Sequence, residues 1–112
     1  MIILNENNVI NIDYLKGIKL KPSEGLIKFY FSDRTAKTVM DDFRMSKVLD
    51  MIIEYGFIQI DDNYINPYLV KGFENLRDGR VKFYFPDTTA LTLYLDDDAF
   101  EDLVAYFTKT EE

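Results

Sequence analysis

The chain has 112 residues and a formal net charge of −7, and hydrophobic residues make up 47% of it. This length fits one compact domain or two very small units that share a core, and the apolar content argues against general disorder. Cysteine and histidine are both absent, which excludes disulfides, thiolate metal sites and the commonest nucleophile–base pairs. The apolar runs are far shorter than a membrane span and no leader pattern opens the chain, so we expect a cytoplasmic protein without a membrane partner.

The acidic residues are unevenly distributed along the chain. Residues 1–55 contain eight basic and eight acidic side chains, whereas residues 56–112 contain five basic and twelve acidic ones. A negative surface repels the phosphate backbone and attracts basic proteins, so nucleic acid is a disfavoured partner and a protein a favoured one. Solubility is the alternative explanation for the excess charge.

The pentad IKFYF at residues 27–31 returns as VKFYF at residues 81–85. The similarity extends along the chain at an offset of 55 residues, which becomes 54 around the pentads and then returns to 55. The matched pairs include Asn8 and Asn63, Asn11 and Asn66, Gly17 and Gly72, Lys28 and Lys82, Tyr30 and Tyr84, and Asp41 and Asp96. This pattern predicts a tandem duplication, with repeat 1 at residues 1–55 and repeat 2 at residues 56–112, together forming one compact domain.

Each repeat is expected to form four strands followed by one helix. Paired Asx residues predict tight turns after the first strands, at residues 7–8 and 62–63. The expected strands of repeat 1 cover residues 2–5, 9–20, 27–31 and 36–41, and those of repeat 2 cover residues 57–61, 64–74, 81–85 and 90–95. The predicted fold class is therefore α+β, with two tandem ββββα repeats that form a pseudo-two-fold domain of antiparallel sheets.

The helices are predicted from apolar stripes with helical spacing. The stripes are Met45, Val48, Leu49 and Ile52 in repeat 1, and Phe100, Leu103, Val104 and Phe107 in repeat 2. Each stripe is expected to cover the four-stranded sheet of its own repeat. Asp98 followed by Glu101 has the spacing of a capping box, with aspartate as the cap.

The segment YINPYLVKGFE in repeat 2 resembles the small flagellar FlbD-type family. The residues that carry the resemblance are Ile65, Asn66, Pro67, Leu69, Val70, Phe73 and Glu74. Repeat 1 departs from the pattern, since Ile12 stands in place of the proline and Lys19 in place of the glutamate. Members of that family are single units of about this repeat size, so a tandem chain is itself a departure. The resemblance implies a bacterial or phage origin and a role other than catalysis.

The pentads alternate along a strand, which separates their side chains into two faces. Ile27, Phe29 and Phe31 are expected in the core, whereas lysine and tyrosine of each pentad point to the opposite face. Because exposed tyrosines are favoured at protein interfaces, we predict a small non-enzymatic protein-binding module, an adaptor or regulator. It would act through this aromatic β-face and the acidic second repeat. The predicted partner-binding residues are Lys28, Tyr30, Lys82, Tyr84, Asp96, Asp97, Asp98, Glu101 and Asp102.

Two other functions stay open. The acidic surface of repeat 2 would imitate nucleic acid and block a DNA- or RNA-binding protein, as in a phage-encoded anti-defence inhibitor. Alternatively, strands with alternating lysine and tyrosine would bind single-stranded nucleic acid in the manner of the PUR-repeat proteins. The first alternative predicts a protein partner that is lost when the acids are neutralised, and the second predicts salt-sensitive binding of an oligonucleotide.

No catalytic, metal or cofactor site is predicted. The run LDDDAFED at residues 95–102 has consecutive acids and lacks the glycine turn of a calcium loop, so helix capping explains it better. The three serines, at positions 23, 32 and 46, lie in no nucleophile-elbow or P-loop motif. The sequence leaves a homodimer open.

Overall fold

A computed structural model of the chain describes residues 2–5 and 8–109. Asn7, where the sequence predicts part of the first turn, lies outside the described residues. The elements in chain order are β1 (Ile2–Asn5), β2 (Asn8–Ile10), a 3₁₀ turn (Ile12–Tyr14), β3 (Leu15–Lys21), β4 (Leu26–Phe31), β5 (Ala36–Met40), α1 (Met45–Tyr55), β6 (Ile58–Ile60), β7 (Asn63–Ile65), a second 3₁₀ turn (Pro67–Leu69), β8 (Gly72–Asn75), β9 (Arg80–Tyr84), β10 (Ala90–Tyr94) and α2 (Asp97–Lys109). The expected α+β class is confirmed, with antiparallel pairing in every sheet.

The chain divides into two compact units, which we call unit 1 and unit 2. Unit 1 ends at Leu69 and unit 2 begins at Val70. Unit 1 contains a five-stranded sheet of order β5-β4-β3-β7-β6 and a separate two-stranded sheet of β1 and β2. Unit 2 contains a three-stranded sheet of order β10-β9-β8. The division therefore lies within the segment expected to form one long strand, not between the two sequence repeats.

The core of unit 1 forms between α1 and one face of its five-stranded sheet. Met45, Val48 and Ile52 are the buried residues of α1, and they belong to one apolar cluster with Ile27 and Phe29 of β4. The predicted stripe and the predicted inner face of the pentad thus lie where expected. Burial of each such side chain contributes about 1.5–3 kcal/mol, so this contact is the main source of stability in the unit.

The core of unit 2 is built around aromatic rings. The ring of Phe73 on β8 lies 5.9 Å from that of Phe83 on β9, and 5.9 Å and 5.1 Å from those of Phe100 and Phe107 on α2. Tilted and edge-on ring pairs at these distances add stabilisation beyond their area burial. Val104, the fourth member of the predicted stripe, is instead exposed on α2.

The second strand of each repeat is shorter than expected, and the prediction of one long strand at 9–20 and 64–74 is wrong. A 3₁₀ turn interrupts each segment. The side-chain oxygen of Asn11 accepts a hydrogen bond from the amide of Asp13, and that of Asn66 accepts one from the amide of Tyr68. Asparagine readily competes with a strand ladder in this way, because its side chain satisfies a backbone amide two residues further on.

The strands are also distributed differently from the expected pair of four-stranded sheets. The hairpin β6–β7 belongs to repeat 2 in sequence, yet β7 pairs with β3 of repeat 1. The sheet of repeat 1 is thereby enlarged to five strands, and repeat 2 retains three strands in its own sheet. A 3₁₀ turn between β7 and β8 lets the two strands join different sheets.

Candidate binding surfaces

The register of unit 2 defines which side chains share the sheet face that α2 does not cover. Directly opposite residues in antiparallel strands point to the same side. Glu74 is opposite Lys82 and Lys82 is opposite Thr92, whereas Phe73 and Phe83 face α2. The uncovered face, here called the outer face of unit 2, carries Glu74, Arg80, Lys82, Tyr84, Thr92 and Tyr94.

The charged groups on the outer face of unit 2 are paired with their neighbours. The ammonium of Lys82 lies 5.2 Å from the ring centroid of Tyr84, within the range of a cation–π contact. The hydroxyl of Tyr84 donates to Glu74 at 3.1 Å, and this hydrogen bond raises the pKa of Tyr84. At the neighbouring turn, Arg80 donates two hydrogen bonds to one carboxylate oxygen of Asp78, which lowers the pKa of that carboxyl.

Tyr94 is the most exposed aromatic side chain of this face, at 74%. It stands opposite Arg80 in the register of β9 and β10. At the other end of the face, an open groove of about 260 to 480 Å³ scale is represented by the larger of two surface grooves, at ≈ 480 Å³. Lys71, Lys82 and Tyr84 line that larger groove. The outer face therefore offers two tyrosines beside a shallow concavity.

The corresponding outer face of unit 1 is more basic. The ammonium of Lys28 lies 5.1 Å from the ring centroid of Tyr30. In the register of β3 and β4, Lys19 is opposite Lys28 and Lys21 is opposite Leu26, so three lysines share this face. Lys19 and Lys21 escaped the sequence prediction, because neighbours across strands depend on register. The two predicted lysine–tyrosine pairs thus have the same local geometry, one in each unit.

The predicted acidic site lies at the start of α2. Asp97, Asp98, Glu101 and Asp102 are exposed, and in the described part of the chain none of them forms an ion pair. Their spacing places them on the side of α2 that is opposite the buried Leu103.

The cap of α2 differs from the prediction. Asp96, not Asp98, caps the helix, since its carboxylate oxygen accepts a hydrogen bond from the amide of Ala99 at 2.7 Å. α2 begins at Asp97, so the sequence pattern placed the cap two residues too late. The acids at 97 and 98 occupy the first turn of the helix, where they interact favourably with the helix dipole.

Phe43 was not singled out by the sequence. It is 86% exposed in the connection between β5 and α1, and Met40 at the end of β5 is 73% exposed. A groove of ≈ 260 Å³ lies beside Met40 and is lined also by Lys37 and Asp42. The only available signal was an aromatic residue outside both the strand alternation and the helix stripe.

Among the described residues, no group of three or more acidic side chains is arranged to hold a metal ion. Within the same residues, no helix is long and apolar enough to cross a membrane. Comparison with known proteins found no protein-family model that matches this sequence and no curated protein with significant similarity to it.

Proposed function

We propose that the chain arose by tandem duplication of one small unit. The element order strand, strand, 3₁₀ turn, three strands and helix occurs twice in succession, which supports this origin. The strand pairing supports it as well, because Tyr30 pairs with Ala36 and Tyr84 pairs with Ala90 at matched positions. The pseudo-two-fold relation of the repeats stays a prediction.

We propose further that the protein is a non-catalytic protein-binding module whose contact surface is the outer face of unit 2. The observation that carries this proposal is a sheet face on which Tyr84 and the 74%-exposed Tyr94 stand beside a groove. Tyrosines present a large contact area and can still form hydrogen bonds, which suits a protein interface.

The charges of this face favour a protein over nucleic acid. Lys82 and Arg80 are accompanied by Glu74 and Asp78, so the local charge is balanced. Residues 70–112 as a whole contain five basic and ten acidic side chains. Proteins that follow a phosphate backbone present unbalanced positive charge instead.

The experiment compares capture of proteins from bacterial lysate by the wild type, Tyr84→Ala, Tyr94→Ala and the control Tyr14→Ala. Tyr14 is also exposed, at 61%, but lies in unit 1. We expect both unit 2 variants to lose the same captured protein by roughly 10-fold or more, as for interface hot spots, and the control to retain it.

A parallel titration measures binding of a fluorescent oligothymidylate by anisotropy. The proposal expects no binding at physiological salt. Salt-sensitive binding that is weakened by Lys19→Ala and Lys28→Ala would overturn it in favour of single-strand recognition by the basic face of unit 1.

A second candidate function is imitation of nucleic acid by α2. Its support is the row of exposed carboxylates, in which Asp97 and Glu101, and Asp98 and Asp102, are like-charged neighbours at i, i+4. Each such pair costs a helix about 0.2–0.5 kcal/mol, and Glu101 and Asp102 lie beyond the first turn, where the dipole compensates little.

The test of imitation is the double variant Glu101→Gln/Asp102→Asn, with Glu24→Gln/Asp41→Asn in unit 1 as its matched control. Imitation requires a nucleic-acid-binding protein that is captured by the wild type, released by high salt and lost only in the first variant. Equal capture by both double variants rejects this function and leaves the tyrosine-bearing face as the contact surface.

A further inference from the structure

Strand β3 is an interior strand of its sheet, with β4 on one side and β7 on the other. Three residue pairs join it to β7: Gly17 with Ile65, Ile18 with Tyr64, and Lys19 with Asn63. Beyond the ladder, the amide of Asn66 donates to the carbonyl of Lys16 at 3.0 Å, and its side-chain amide donates to the carbonyl of Leu15 at 2.8 Å. A hairpin from the next repeat thus completes the sheet of repeat 1.

Strand β8 is the counterpart of β3 at the offset of 55 residues. It pairs with β9 on one side, and among the described residues no strand pairs with its other side. The second edge of that sheet, β10, is not comparable, because its counterpart β5 is also an edge strand. Only β8 occupies an edge where the other repeat has a paired strand.

The glycines at the matched position sharpen this difference. A Cβ atom on Gly17 would lie 3.2 Å from the carbonyl oxygen of Tyr64, so the close approach of β7 requires glycine there. A Cβ atom on Gly72 would meet nothing within 4 Å. The contact that explains glycine in β3 has no equivalent at Gly72 in the described chain.

The hairpin β1–β2 is the counterpart of β6–β7. Tyr64 of β7 is buried, at 5% exposure, whereas its counterpart Val9 of β2 is 58% exposed. Asn66 is fully buried and Asn11 is only half-buried, although both accept the same local hydrogen bond. The chain therefore contains one edge without a hairpin and one hairpin whose outward residue is exposed.

We propose that the free edge of β8 binds the β1–β2 hairpin of a second copy of this chain. The register follows from the pairing of β3 with β7: Gly72 with Ile10, Phe73 with Val9, and Glu74 with Asn8. This inference rests on the proposed duplication and not on the proposed binding face. The side-chain amide of Asn11 then donates to the carbonyl of Val70, as that of Asn66 donates to Leu15.

The pairing satisfies the chemistry of both surfaces. Strand addition at an exposed sheet edge is a common mode of recognition, in which backbone hydrogen bonds provide affinity and side-chain alternation provides register. Val9 comes to lie beside the half-buried Phe73, and neutral Asn8 faces Glu74, so no like charges meet. The identity of the occupant follows from the sequence, since β1–β2 is the counterpart of the hairpin that occupies the matching edge in unit 1.

The first experiment is a disulfide trap, which the absence of native cysteine permits. Asn8→Cys and Glu74→Cys are prepared as separate single variants, mixed and oxidised. Directly opposite residues of antiparallel strands have Cα atoms about 4.5–5.5 Å apart, within disulfide reach. We expect at least about 10-fold more mixed disulfide dimer from this pair than from the control pair of Asn8→Cys with Thr92→Cys on β10. Equal yields overturn the proposal.

The second experiment uses the two glycines and needs no cross-link. Gly72→Ala should weaken self-association in sedimentation velocity by roughly 10-fold without lowering the melting temperature, because its Cβ contacts only the incoming hairpin. Gly17→Ala should lower the melting temperature. A wild-type chain that stays monomeric at its highest soluble concentration overturns the proposal.

The outcomes separate the inference from the ideas on which it rests. If Gly17→Ala lowers the melting temperature but Gly72→Ala leaves self-association unchanged, the template pairing stands and the inference fails. If Gly17→Ala has no effect, the template itself fails and the inference with it. Both variants keep Tyr84 and Tyr94, so lysate capture by the outer face of unit 2 can succeed or fail independently.

Discussion

Asn66 links the second 3₁₀ turn to β3 through both ends of its side-chain amide. Its nitrogen donates to Leu15 and its oxygen accepts from the amide of Tyr68 at 3.0 Å, and the residue is fully buried. Asn66→Ala leaves a buried carbonyl and a buried amide without these partners. We expect a loss of about 2 kcal/mol in the free energy of unfolding, measured by urea denaturation.

Asn11→Ala is the matched control for that prediction. Asn11 makes the same local hydrogen bond, to the amide of Asp13, but it is only half-buried. The expected loss is about 0.5–1 kcal/mol, in the range of a partly exposed capping contact. Equal losses in the two variants would contradict the role assigned to the bond between Asn66 and Leu15.

Tyr55 at the end of α1 has a strongly perturbed hydroxyl. It donates to the carboxylate of Asp13 at 2.7 Å, and this hydrogen bond, with a contribution from burial, raises the pKa of Tyr55 to about 12. An unfolded tyrosine titrates near 10. Because the folded pKa is the higher one, the contribution is complete below pH 10 and is lost as the pH rises from 10 to 12.

The difference between the ultraviolet titrations of the wild type and Tyr55→Phe isolates this phenol from the other tyrosines. We expect its midpoint near pH 12, and in the Asp13→Ala background we expect the midpoint to move down towards 10. A difference curve centred near 10 in the presence of Asp13 would show that the hydrogen bond does not form in solution.

Helix α2 depends on its cap more than on the rest of its acidic segment. Asp96→Ala removes the acceptor for the amide of Ala99 and should cost about 1 kcal/mol in the free energy of unfolding. Asp98→Ala removes only a favourable interaction with the helix dipole and should cost about 0.3–1 kcal/mol at low salt. Thermal unfolding with salt titration distinguishes them, because only the Asp98 effect should be screened by salt. The reverse order of losses would restore the capping box expected from the sequence.

The division of the chain after Leu69 predicts which fragment folds. Residues 1–69 contain all five strands of the large sheet, whereas residues 1–55 lack β6 and β7. The shorter fragment loses Phe57, Tyr64 and Ile65, all at most 5% exposed. Each such burial contributes about 1.5–3 kcal/mol, and the total approaches the whole stability of a small domain.

Circular dichroism and thermal melting of the two fragments test this division. We expect a cooperative transition for residues 1–69 and none for residues 1–55. A cooperative transition in the shorter fragment would instead support an autonomous first repeat, as the sequence boundary at residue 55 suggests.

The alternation of the pentads identified Ile27, Phe29 and Val81 as inner residues, because period two depends only on the local backbone. The stripe of α1 was predictable for the same reason. Asn66 was visible only as part of a motif, and its bond to Leu15 joins residues 51 positions apart. The lysines of the unit 1 outer face could not be grouped, since register is a property of strand pairs.

The α+β class, the two helices, the strand pairs next to one another in sequence and the buried faces all follow from local patterns in the amino-acid sequence. The transfer of β6–β7 to the sheet of repeat 1 does not. Side-chain alternation specifies which face of a strand is buried, but backbone hydrogen bonds specify its neighbour, and these bonds are nearly the same for every residue type. Which edge receives which hairpin is therefore settled by how the folded elements fit together over long chain separations.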